Sequence, residues 1–65
     1  MEPNKKIVIA KKLQVVRAKR DKLETEKQGY LSKGMLDAAQ VNQMLIMRCE
    51  REMLNLHVEY NLVEA

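Results

Sequence analysis

KQGYLSKGMLDAAQ, residues 27–40, holds both glycines of the 65-residue chain and most of its turn-forming residues. The stretches on either side, 4–28 and 35–65, contain neither Gly nor Pro. Chain reversal needs backbone freedom that glycine supplies at little steric cost, whereas long runs without breakers suit helices. The pattern predicts a first helix over about 4–28, a turn over 29–36 and a second helix over about 37–63. Gly29 is the expected C-cap of the first helix. DAAQ at 37–40 reads as a variant capping box, with Asp37 as N-cap and Gln40 three residues later.

Both flanks carry seams of the spacing that helix pairs use. In the first, Ile9, Leu13, Val16, Arg20, Leu23, Lys27 and Tyr30 alternate steps of four and three. Arg20 interrupts an otherwise apolar stretch, and a carboxylate of the opposite helix, Glu50 or Glu52, is its expected partner. In the second flank, Ala38, Val41, Leu45, Cys49, Met53, Leu56, Tyr60 and Val63 form a line, with a run of four-residue steps that reads as a stutter. Two helices of roughly 40 Å, at about 1.5 Å per residue, joined by a short linker favour antiparallel pairing. The expected fold is all-α, a single domain over 1–65: an antiparallel two-helix hairpin of coiled-coil type.

So short a chain buries only about 60% of its unfolded surface, and proteins of this size usually depend on disulfides, a metal or a partner. One cysteine, Cys49, excludes an internal disulfide, and with His57 as the single histidine no four-ligand Cys/His zinc site can form within one chain. Self-association or a partner protein remains. The second helix also carries Met44, Ile46, Met47, Leu54, Val58 and Leu62 off its stripe, more than one neighbouring helix can cover. A homodimer of hairpins, forming a four-helix bundle with MLIM at 44–47 in its interface, is expected. A protein partner is expected on Val41, Met44, Leu45, Met47 and Leu54, where Met and Leu make an adaptable surface.

Charge is divided between the two halves. Residues 1–33 contain ten Lys/Arg and four Asp/Glu, and residues 34–65 two Arg and five Asp/Glu. Opposed charge favours pairing of unlike helices. The basic first helix also raises nucleic acid as an alternative partner, with Lys5, Lys12, Arg17 and Lys19 as phosphate contacts. Against it, no aromatic residue interleaves them to stack on bases.

No arrangement of Ser, His and Asp, no phosphate-cradling glycine loop and no paired carboxylates can be assembled, so the reading is non-enzymatic, with no cofactor and no metal. Cys49 reads as a small core hydrophobe and His57 as a surface histidine. IVIA at 7–10 is too short for the apolar core of a signal peptide, and no run of about 20 apolar residues occurs. The expected location is cytoplasmic, away from membranes, with residues 1–4 frayed.

Two resemblances bear on function. The phosphatases of sporulation signalling are hairpins of similar size with a Ser-Gln-Glu-Leu-Asp motif on the second helix. Here RCEREML stands at 48–54, so that activity is not carried over. GMLDAAQ at 34–40 resembles, over seven residues, the turn and helix start of small hairpin co-chaperones of type III secretion needle subunits. That resemblance implies a chaperone-like binding role and assigns no site residue.

Overall fold

The computed structural model describes residues 4–63, and residues 1–3 and 64–65, with most of the fraying expected at 1–4, lie outside it. Two helices, α1 (Lys5–Ser32) and α2 (Leu36–Leu62), pack against each other. Asn4 is the N-cap of α1, its side-chain oxygen accepting from the Lys6 backbone N–H at 2.8 Å. Contacts across the hairpin fix an antiparallel sense. Lys6 Nζ lies 4.9 Å from the centre of the Tyr60 ring, and Lys27 Nζ donates to Gln43 Oε1 at 2.6 Å. The molecule measures 51 × 17 × 11 Å, a slab one helix thick with two broad faces.

The turn is tighter than expected and uses the other glycine. α1 runs through Gly29 to Ser32, whose hydroxyl donates back to the Gln28 and Gly29 carbonyls, so neither residue breaks the helix. Gly34, at φ +74°, is the residue in the left-handed region. Its N–H donates to the Leu31 carbonyl at 3.1 Å, and the Met35 N–H to the Tyr30 carbonyl at 2.9 Å, the paired bonds of a Schellman motif. The expected capping box is absent. Met35 occupies the N-cap of α2 without a side-chain bond, and Asp37 lies in the first turn, where its charge suits the helix dipole. The chain leaves the Schellman turn directly into helix, so no room remains for a cap at Asp37.

The two glycines should therefore respond oppositely to alanine. Gly34→Ala forces a side chain into the left-handed region and should cost about 1–2 kcal/mol. Gly29→Ala meets open space inside a helix and should stabilise by about 0.5–1 kcal/mol. Thermal melts of the two variants check this, and equal shifts would place the turn elsewhere.

The seam of α1 matches its sequence pattern: Ile9 and Val16 are buried and Leu13, Arg20, Leu23, Lys27 and Tyr30 half-buried. The seam of α2 is one residue out of the expected phase. Ala39, Asn42 and Ile46, not Ala38, Val41 and Leu45, continue the line through Cys49, Met53, Leu56, Tyr60 and Val63. Those eight positions alternate steps of three and four throughout, so no stutter exists. The reason is Asn42, a polar residue in a core position. Its Nδ2 donates to the Leu23 carbonyl at 3.3 Å and faces Glu26 Oε2 at 3.5 Å, and no fully buried side-chain nitrogen or oxygen among the described residues lacks a partner.

Ile46 is only 1% exposed and belongs to this core, not to a dimer interface. Arg20 also departs from expectation. It forms its ion pair with its neighbour Asp21 at 3.0 Å instead of crossing to Glu50 or Glu52, because a carboxylate adjacent on the same helix is already within reach.

Candidate functional site

With the phase of α2 corrected, a second seam emerges. Positions 44, 47, 51, 54 and 58 follow 39, 42, 46, 49 and 53 by five residues each, which on a helix turns them to the side facing away from α1. They read Met, Met, Arg, Leu, Val, and all are exposed, Met44 at 63% and Met47 at 59%. Leu36 and Leu62, also exposed, extend the line towards its two ends. This outer edge of α2 thus has the three-and-four spacing of a helix-packing stripe, and among the described residues no helix lies upon it. Its one charge is Arg51.

Of the residues expected to bind a partner, Met44, Met47 and Leu54 share that edge. Val41 and Leu45 do not: Leu45 borders a groove between the helices, and Val41, four residues earlier on α2, is exposed on the same side of that helix. The structure therefore divides the expected patch between two surfaces.

The inter-helix groove was not visible in the sequence. Val8, Val15 and Val16 of α1 and Leu56 of α2 form its apolar lining, with Lys11 and Lys12 on one rim and Glu52 on the other. It continues into a second hollow lined by Lys19, Leu45, Arg48, Cys49 and again Glu52. On the opposite broad face, Leu13, Arg17, His57 and Tyr60 border a smaller hollow.

Of the proposed phosphate contacts, all exposed, Lys12 and Lys19 border one face and Arg17 the other. Lys5, seven residues before Lys12 on α1, falls on the same line as Lys12 and Lys19. Cys49 is buried as a free thiol in the cluster with Ile9, Val16, Met53 and Leu56. His57 is exposed. Among the described residues, no three His, Cys, Asp or Glu side chains converge to hold a metal, and no helix is long and apolar enough to cross a membrane. Compared with protein-family models, curated proteins and solved structures, the chain matches none of them.

Proposed function

We propose that the chain is a non-enzymatic interaction module of the cytoplasm, working as a dimer of hairpins and holding a partner protein along the outer edge of α2. One observation carries this reading: the exposed seam Met44, Met47, Leu54 and Val58, spaced for another helix and left uncovered by α1. Monomeric proteins seldom expose apolar side chains in so regular a line without a partner for it. The fitting occupant is an amphipathic helix with the same spacing and a carboxylate opposite Arg51, since a charge in an apolar seam is best met by its opposite. Met supplies a surface that adapts to the shape of such a helix.

The test is retention of a co-purifying protein by immobilised hairpin, followed by titration once it is identified. Met44→Ala with Met47→Ala should weaken that complex at least about tenfold, near 1.4 kcal/mol. Both side chains are exposed, so helicity and melting temperature should hardly change. Equal binding by the double variant defeats this site. Salt-sensitive binding of any duplex, with no protein partner, would favour the basic face of α1 instead.

A further inference from the structure

The groove between the helices has a shape and charge that fit a particular occupant. A compact monomer of 7.6 kDa exposes about 4,300 Å², whereas this chain exposes 5501 Å². The surplus, roughly 1,200 Å², exceeds the about 800 Å² that each partner buries in a standard interface. Charge then decides which copy-to-copy arrangement can use it. α1 contains nine Lys/Arg against three Asp/Glu, and α2 two Arg against four Asp/Glu. A two-fold axis crossing the helices would lay basic α1 on basic α1. A two-fold axis running parallel to them lays each α1 on the α2 of the other copy.

Such an axis has a second property. It leaves the height of every residue along the hairpin unchanged. Lys12 and Glu52 face each other across one groove, so they stand at about the same height. Rotation about a parallel axis brings Lys12 of one copy over Glu52 of the second, and Val8 and Val15 over Leu56. Lys19, which also borders Glu52, falls beside the same carboxylate.

We propose that the groove face bearing Val8, Lys12, Val15, Glu52 and Leu56 is where a second copy of this chain docks, the two hairpins related by a two-fold axis parallel to their helices. This rests on the dimeric reading above and deepens it, assigning the dimer to this face and leaving the Met44–Val58 edge free. The arrangement covers the exposed Val8 and Val15 and sets each helix against a helix of opposite charge in the other copy.

Two measurements test it. Sedimentation should show a concentration-dependent dimer, and Val15→Lys should raise its dissociation constant at least about tenfold, converted at 1.4 kcal/mol per tenfold. Val15 is 68% exposed in the hairpin, so the monomer itself should keep its helicity. For the symmetry, chains carrying Lys12→Cys and chains carrying Glu52→Cys are oxidised separately and as a mixture. The mixture should give a 12–52 intermolecular disulfide at least about tenfold faster than either alone gives its symmetric product. Fast 12–12 or 52–52 products overturn the parallel axis. A dimer untouched by Val15→Lys overturns the face while sparing the dimer. A monomer at every concentration defeats the dimeric reading together with this one.

Discussion

Ile46→Asp is expected to abolish the folded hairpin, with loss of most helical circular dichroism at 25 °C. Ile46 is the most buried side chain of the described residues, at 1% exposure. An isolated ionised carboxylate in such a site costs several kcal/mol even after its pKa adjusts. Small domains have little to lose, since typical stabilities are only about 5–15 kcal/mol and a chain this short sits low in that range. Ile46→Ala should cost about 2–5 kcal/mol by transfer and cavity effects. The next residue provides the control. Met47→Asp should leave a folded hairpin, because Met47 is 59% exposed on the outer edge. Were Ile46→Asp to remain fully helical, with Ile46→Ala costing under about 1 kcal/mol, the phase assigned to α2 would be wrong.

Asn42→Leu is expected to raise the melting temperature by about 4–8 °C, the equivalent of about 1 kcal/mol in a domain of this size. Leucine adds apolar burial at a seam position, while the carbonyl that loses Asn42, that of Leu23, retains its place in the α1 ladder. The gain should come with a loss of definition. A buried asparagine in a helix seam has one alignment in which its amide is satisfied, and here that alignment is against Leu23 and Glu26. With leucine there, neighbouring registers and oligomers become closer in energy, visible as broadened amide resonances and mixed species on sedimentation. A strong destabilisation would instead mean that the Asn42 hydrogen bonds outweigh the buried area.

These two residues also explain where reading the sequence succeeded. The α1 seam is recognisable because Ile9, Leu13, Val16 and Leu23 are apolar where a heptad needs them, and Arg20 and Lys27 merely continue it. In α2 the true seam begins with Ala39 and Asn42, one small and one polar, beside the more hydrophobic Val41 and Leu45. Apolar pattern alone prefers the wrong neighbours, and a phase error of one residue turns a helix by about 100°. Asn42 can be recognised as core only when its partners on α1 are known. The outer edge was partly visible, since Met44, Met47 and Leu54 fall off either stripe. The groove was not, because Val8 and Val15 meet Glu52 and Leu56 only after the hairpin has closed.

The distribution of core along the hairpin also sets the order in which it can form. Ile9, Val16, Cys49, Met53 and Leu56 gather towards the open end, far from Gly34. Nearer the turn, the bridging hydrogen bonds are polar, Lys27 with Gln43 and Asn42 with Leu23, and the buried apolar side chains are Ala39 and Ile46. Zipping outward from the turn therefore buries part of the apolar core early and the larger cluster only once the chain has closed most of its length. Extending loop closure from about 20 to about 50 residues adds only roughly 0.8 kcal/mol of entropy cost. The apolar cluster then repays it together, each fully buried side chain contributing about 1.5–3 kcal/mol. A half-zipped hairpin has met most of the entropy cost with only part of the return, so opening should be closer to all-or-none than to a gradual peeling of the free ends.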